Sequence, residues 1–132
     1  MSLVGGGTPV LTGCLRNASA VARAARETAE GGAIGVIPAG ERWSDGSLRP
    51  GIEDLMGAGA IIHALALPCS SEAEVARGAY RMAGDDMARL IRTSVSGQEL
   101  VESGFSGDVD LALERDVSPC VPLLLEGAYQ AV

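Results

Sequence analysis

Two short stretches of the chain are continuously apolar, and they predict buried β-strands. The first, PVLTGC, covers residues 9–14, and the second, AIGVIPAG, covers residues 33–40. Continuous rather than alternating apolar character is typical of a sheet that is covered on both faces. The segment between them, residues 15–32, predicts a helix, because it has apolar positions at helical spacing, an N-cap at Asn17 or Ser19 and a closing pair of glycines.

Apolar periodicity and capping residues predict further helices along the rest of the chain. One helix covers residues 50–65 and has a proline as its first residue, which is favourable at that position. Another covers residues 71–81, where Ser71 and a glutamate three positions later form a capping box. Two or three shorter helical pieces follow within residues 84–115. The closing residues, 120–132, predict a strand, a Glu-Gly turn and a second strand.

This order of elements predicts an α/β fold with three layers, in which helices cover both faces of a mostly buried sheet. Two or three strands make a thin sheet for so many helices, so we expect the domain to be part of a larger one. Residues 8–132 are assigned to a single α/β domain. Residues 1–7, MSLVGGG, are interpreted as a disordered start or a cloning remnant.

Composition and charge exclude several classes of protein. Of the 132 residues 47% are hydrophobic, which excludes a disordered chain. The net charge of −7 arises from 17 acids and ten arginines, without any lysine, and an acidic chain with no basic tract is a poor candidate for binding nucleic acid. Apolar runs are too short to span a bilayer and no signal peptide is visible, so no membrane association and a cytoplasmic location are expected.

The cysteines and the histidine do not form a recognisable reactive site. Cys14, Cys69 and Cys120 are far apart and odd in number, which fits neither a disulfide framework nor a zinc site. We therefore expect buried free thiols. His63 shares helical spacing with Met56, so a position in the core is expected rather than a role as general base.

Two predicted loops carry the polar side chains that could bind a ligand. They cover residues 14–17 and 39–54, where strands lead into helices, and ligands of open α/β sheets bind at such places. Arginines beside helix N-termini suit an anionic ligand, and neighbouring carboxylates suit Mg²⁺. The candidate residues are Arg16, Asn17, Glu41, Arg42, Asp45, Ser47, Arg49, Glu53 and Asp54.

Several of these residues also have a purely structural interpretation. Glu53 and Asp54 lie in the first turn of a predicted helix, where acids stabilise the helix dipole without any ligand. Asn17 can serve as a plain N-cap, and Trp43 can either stack on a ligand or anchor the loop. No phosphate-binding P-loop, dinucleotide fingerprint or G-x-S-x-G nucleophile motif is present, so any chemistry is expected to be metal-assisted.

The order of motifs resembles one known family. A strand leading to CLRNASAVA, a strand ending PAGERW, the segment SDGSLRPGIEDLMGAGAII and the closing DVSPCVPLLLEG together resemble 2-phosphosulfolactate phosphatases. The resemblance covers nearly the whole chain but only the C-terminal portion of the larger family members. It implies a Mg²⁺-dependent enzyme that removes phosphate from 2-phospho-3-sulfolactate on the route to coenzyme M.

Chemistry and position assign roles to seven of these candidates. Arg16, Asn17, Arg42 and Arg49 are predicted to bind the anionic groups of a small phosphorylated acid. The predicted catalytic residues are Glu41, Glu53 and Asp54, of which Glu53 and Asp54 would hold Mg²⁺. The alternative is a catalytically incomplete fragment or homologue, which would act as an anion-binding domain or as an assembly domain that packs its small-residue helix, residues 50–65, against a partner. A homodimer is compatible with either interpretation.

Overall fold

The computed structural model describes residues 7–131, and most of the ordered elements in this range are helices. The α-helices are α1 (Ala18–Ala29), α2 (Ile52–Leu65), α3 (Ser71–Ala83), α4 (Met87–Arg92), α5 (Val95–Glu102) and α6 (Ser106–Ala112). Short 3-10 helices precede α1 and α4, at Leu15–Asn17 and Gly84–Asp86. The strands are β1 (Glu41–Arg42), β2 (Leu48–Arg49), β3 (Pro122–Leu125) and β4 (Ala128–Ala131). The predicted helices are therefore confirmed, although their ends differ by a few residues.

Helix α2 is the centre of the helical body and contacts both α1 and α3. Its small residues 57–60, Gly-Ala-Gly-Ala, are all buried. Gly59 allows the α3 backbone to approach closely, since a Cβ added there would meet the Ala76 carbonyl, with its carbon at 3.1 Å. The small-residue row that could have received a partner chain is thus already covered inside this chain.

The core is built from helix faces rather than from a sheet. The main cluster consists of Leu15, Ala18, Met56, Ala60, Ala83, Met87, Ile91 and Val109. A second cluster joins α1 to the residue before β3, and it consists of Ala20, Val21 and Val121. All four residues of β4 are exposed. The strands therefore lie at the margin of the molecule.

The strands form two separate antiparallel hairpins. In the first, β1 pairs with β2 and places Glu41 opposite Arg49. In the second, β3 pairs with β4 around a Glu-Gly turn, as predicted for the end of the chain. A single bridge joins Leu11 to Leu123. The mixture of helices and strands agrees with an α/β fold, but within residues 7–131 no sheet has helices on both faces.

Of the two strands predicted from continuous apolar runs, the first is confirmed in part, and the second is not formed within the described residues. Within residues 9–14, Leu11 bridges to Leu123, the Thr12 N–H donates to the Pro122 carbonyl at 3.1 Å, and the Leu124 N–H donates to the Val10 carbonyl at 2.9 Å, so this run lies antiparallel beside β3. Residues 33–40 form no strand pair with any described residue. Ile37 in the second run is 63% exposed, although the prediction placed it in a buried sheet. A strand needs a neighbour for its backbone hydrogen bonds, and no described residue pairs with the second run.

The helix N-termini are capped differently from the prediction. Ser70 rather than Ser71 caps α3, because the Ser70 hydroxyl accepts a backbone N–H of the first turn. Asn17 occupies the N-cap position of α1 but makes no capping bond there. Instead, the carboxylate of Asp116 accepts both the backbone N–H and the hydroxyl of Ser19, each at 2.7 Å. A residue distant in sequence thus replaces the local cap.

The remaining expectations from the sequence have mixed outcomes. In the described part of the chain no helix is both long and apolar enough to cross a membrane. All three cysteines are free, but Cys14 and Cys120 are exposed rather than buried, since both lie in loops at the margin of the helical body. Most of the predicted disordered start, residues 1–6, lies outside the described residues.

Candidate active site

The second candidate loop folds into the β1–β2 hairpin and leads directly into α2. Its turn is closed by a bond from the Trp43 backbone N–H to the Ser47 carbonyl at 2.9 Å. Asp45 accepts the Ser47 hydroxyl at 2.6 Å and the Ser47 backbone N–H at 2.9 Å. These bonds, chiefly the one from the hydroxyl, hold the pKa of the Asp45 carboxyl below its usual value. Arg42 donates to the Gly46 carbonyl at 2.8 Å, so its side chain folds back over the turn.

Arg49 is held by contacts with several neighbouring side chains. Its side chain is only 14% exposed and donates to Glu99 on α5 at 2.8 Å, and a second guanidinium nitrogen lies 3.4 Å from Glu41. The guanidinium carbon lies 4.8 Å from the centre of the Trp43 ring, which is cation–π distance. The hydrogen bond to Glu99 is the main cause that raises the pKa of Arg49. The guanidinium is therefore held in place as a cation.

Two carboxylates stand side by side at the first turn of α2. Burial raises the pKa of the Asp54 carboxyl, the charge of Glu53 raises it further, and a hydrogen bond from the Gly40 backbone N–H acts in the opposite direction. Both side chains fold back over the N-cap residue, because a Cβ added at Gly51 would lie 2.5 Å from Asp54 Oδ2 and 2.7 Å from Glu53 Oε1. Glycine at this position thus makes room for the carboxylate pair.

Helix α5 holds the other side of the site. The Ser96 hydroxyl donates to Glu53 Oε2 at 2.8 Å, and Ser94 lies 3.2 Å from Ser96, oxygen to oxygen. Ser94 also caps α5 by accepting the Gly97 backbone N–H at 3.1 Å. No sequence pattern singled out Ser94, Ser96 or Glu99. A serine before a short helical piece is a local capping signal, but nothing local indicates that this helix packs against residues about 40 to 50 positions earlier.

These side chains surround a cavity of about 160 Å³ between the hairpin, the start of α2 and the start of α5. Its lining consists of Glu41, Arg49, Pro50, Gly51, Ile52, Glu53, Ser94, Val95 and Ser96. The cavity is small, polar on several sides and equipped with one guanidinium and two carboxylates. Such a lining can orient a small anionic ligand, with or without a cation.

The first candidate loop is engaged elsewhere. Arg16 forms an ion pair with Glu114 and donates to the Leu111 carbonyl at 3.1 Å. Asn17 is buried, with its Oδ1 accepting the Cys14 backbone N–H at 2.8 Å and its Nδ2 donating to the Cys120 carbonyl at 2.9 Å. Among the described residues, neither side chain bonds to the second loop. The assignment of Arg16 and Asn17 to substrate binding therefore remains a prediction.

The ligand set for a metal consists at most of two neighbouring acids in this range. Among residues 7–131 no cluster of three or more histidine, cysteine or acidic side chains is positioned to hold a metal ion. Glu53 and Asp54 supply carboxylate oxygens only, which suit a hard cation. Mg²⁺ commonly takes one or two protein carboxylates and completes its shell with water and substrate oxygens. The donor set therefore fits Mg²⁺ with an incomplete protein shell.

Trp43 lies at the site as one of its two predicted interpretations allowed, whereas His63 does not lie in the core as predicted. Trp43 is half-exposed and lies against Arg49, so it supports the guanidinium from one side. His63 is exposed, with its ring centre 5.7 Å from that of Tyr80, so the expected core position is wrong. The helix turns this residue away from the buried row that includes Met56.

Comparisons with known proteins agree with the motifs. Residues 2–127 match the family model described as 2-phosphosulpholactate phosphatase. The chain is 36% identical over 122 residues to the 2-phosphosulfolactate phosphatase of Methanothermobacter thermautotrophicus, and the match covers 91% of this chain and 50% of that protein. It is 31% identical over 78 residues to a probable 2-phosphosulfolactate phosphatase of Pseudothermotoga lettingae, covering 58% of this chain and 35% of that protein. The chain thus spans about half the length of the curated relatives, and it belongs to the 2-phosphosulpholactate phosphatase family.

Proposed function

We propose that the chain provides the substrate-binding and metal-binding part of a Mg²⁺-dependent phosphatase, which hydrolyses 2-phosphosulfolactate or a similar small phosphorylated acid in a route of the coenzyme M type. Membership of the family is the observation that carries this proposal. The cavity supports it, since its lining combines the Arg49 cation with the carboxylates of Glu41 and Glu53, and Asp54 follows Glu53 in the first turn of α2.

Arg49 is the residue proposed to bind the anionic groups of the substrate. Two glutamates and the Trp43 ring hold its guanidinium at the cavity, so little side-chain entropy remains to be lost on binding. Its planar fork of donors matches phosphate or sulfonate oxygens. The N–H groups at the start of α2 add donors on the same side. Arg42, Arg16 and Asn17 are proposed as further binding residues.

Glu53 and Asp54 are proposed to hold Mg²⁺, and Glu41 to orient the attacking water. Mg²⁺, when bound, would polarise the phosphoryl oxygens and offset the charge of an anionic substrate. The Ser96 hydroxyl donates to Glu53, so this carboxylate is oriented before any ligand arrives. Glu41 lines the same cavity as Glu53, so its carboxylate can accept a hydrogen bond from a water molecule there.

The test is release of inorganic phosphate from 2-phosphosulfolactate by this chain, with Mg²⁺ and then with chelator. We expect Asp54→Asn to require more Mg²⁺, and Arg49→Gln to reduce kcat/KM about 100-fold, a usual effect of removing one stabilising charge donor. Arg77→Gln is the matched control, because Arg77 pairs with Glu74 on α3, away from the cavity. An unchanged Mg²⁺ requirement in Asp54→Asn would end its assignment as a metal ligand.

An anion-binding domain without turnover is the second candidate, and the half-length match favours it. In that case inorganic phosphate or sulfolactate should raise the melting temperature without any hydrolysis. Arg49→Gln should abolish that rise, while Arg77→Gln should keep it. Neither turnover nor stabilisation by these anions would count against both functions.

A further inference from the structure

We propose that residues 33–39, AIGVIPA, are a β-strand whose neighbour is supplied by the half of the family polypeptide that this chain does not span. We call these residues the apolar segment. The apolar segment would thus be an interaction surface, and its role there does not depend on the phosphatase activity.

The apolar segment has the burial pattern of a strand without a partner. It forms no helix, turn or bend, and none of its backbone groups forms a hydrogen bond with another described residue. Burial alternates along it: Ile34 and Val36 are half-buried, whereas Gly35 and Ile37 are exposed. A period of two is the signature of a strand with one face on the protein and the other open.

Both ends of the apolar segment are tied to the described structure. It begins where α1 ends, after Glu30 and Gly31 with positive φ angles of 47° and 88°. It ends at Gly40, directly before β1, where an added Cβ would lie 2.9 Å from the Arg49 carbonyl oxygen. The apolar segment therefore presents a fixed edge next to the candidate active site.

The sequence of the apolar segment suits a central strand rather than an exposed edge. It contains no charged or polar residue, whereas exposed edges usually carry charges or bulges that block pairing. Continuous apolar character is typical of strands that are covered on both faces. The proline at position 38 limits the pairing to the residues before it. A strand that pairs along residues 33–37 would satisfy their backbone and cover Ile37.

The remaining half of the family polypeptide is the occupant that the observations favour. The matched region fills 91% of this chain but only 50% of the Methanothermobacter protein, so about half of that protein lies outside the match. A second copy of this chain is a poorer occupant, because it would bring another −7 of charge to the interface. Strand addition to an open edge is a common way for one polypeptide to complete another.

The test is amide hydrogen exchange of the full 132-residue chain, alone and after addition of the half of the Methanothermobacter protein that it does not match. We expect fast exchange at residues 33–37 in the chain alone, and exchange on the order of 100-fold slower in the mixture. Protection in the chain alone, whether internal or through self-association, would overturn the proposal. Absence of binding, or binding without protection of these residues, would overturn it as well.

A matched pair of variants distinguishes specific binding at this surface from nonspecific hydrophobic association. Ile37 is 63% exposed in the apolar segment and Val75 is 70% exposed on α3, so an aspartate should be tolerated by the fold at either position. We expect Ile37→Asp to weaken binding of the added half about tenfold or more, and Val75→Asp to leave it unchanged. Equal affinities of Ile37→Asp and the parent chain would refute the proposal. The readout needs no substrate, so it does not depend on turnover.

Discussion

Asn17 shows how one buried amide can join two distant parts of the chain. Its side chain is 7% exposed, and each end of the amide has one backbone partner, Cys14 on one side and Cys120 on the other. The sequence suggested a helix cap or a ligand for substrate. In the structure the amide is instead the polar link between the loop before α1 and the loop before β3.

We predict that Asn17→Ala lowers the free energy of unfolding by about 1–3 kcal/mol, because it leaves a backbone donor and a backbone acceptor without partners. Urea unfolding at neutral pH would measure the change. Asn17→Asp is a graded control, since it keeps the acceptor for Cys14 and loses the donor to Cys120. If Asn17→Ala were as stable as the parent chain, the amide would not be a structural link.

Asp45 gives a prediction about pH at the turn of the β1–β2 hairpin. Its pKa is lowered in the folded chain, chiefly by the bond from the Ser47 hydroxyl, so the folded state favours the ionised carboxyl. A depressed pKa contributes stability above the ordinary value of about 3.9, and this stability is lost as the pH falls through the lower, folded-state pKa. Asp45→Asn cannot ionise and lacks this contribution.

We therefore expect the parent chain to be more stable than Asp45→Asn at neutral pH, with a difference that shrinks as the solution is acidified. Urea unfolding of both proteins across the acid range is the measurement. A difference that stays constant with pH would mean that the ionised carboxyl gains nothing from the turn.

At the scale of elements, the glycines of α2 decide how closely its neighbours approach. Gly59 faces α3, where an added Cβ would press on the Ala76 carbonyl and lie 2.7 Å from the Tyr80 Cβ. Gly57 faces the loop before α1 with more room, because its added Cβ would be 3.9 Å from the Cys14 Cα. Two glycines only two positions apart in one helix therefore have different reasons to be small.

We predict opposite signs for alanine at these two positions. Gly59→Ala should lower stability by about 1–2 kcal/mol, because overpacking against the α3 backbone outweighs the better helix propensity of alanine. Gly57→Ala should raise it by up to about 1 kcal/mol, since only the propensity changes. Thermal unfolding of the two variants side by side checks the pair. A stabilising Gly59→Ala would show that α3 can move away without loss.

At the scale of the whole molecule, the net charge bears on how an anionic substrate would bind. Five of the ten arginines, on the described part of the chain, form ion pairs with acids: Arg16, Arg49, Arg77, Arg89 and Arg92. The net charge of −7 would repel an anionic substrate over long range. A bound divalent cation would offset that repulsion near the site, which is the electrostatic argument for the proposed Mg²⁺.

The helices of the molecule have a common core, and the strands lie at its margin.

The local sequence determined the helices and the group of site residues that lie close together in the chain. Capping residues, glycine pairs and apolar periodicity act within a few residues, so α1, α2 and α3 could be predicted with small errors at their ends. Glu41, Arg49, Glu53 and Asp54 lie within one hairpin and the helix that follows it. Their closeness therefore needed only a turn and a helix start.

Only the tertiary structure decided the strands and the partners of the site. Residues 33–40 look like a buried strand in any local window, but a strand forms its hydrogen bonds with another segment, and no described residue supplies one. Ser96 and Glu99 reach the site because α5 packs against the start of α2, and Arg16 is drawn to Glu114 by the position of α6. These contacts depend on how separate elements pack, and that information is spread over the whole chain rather than held in a motif.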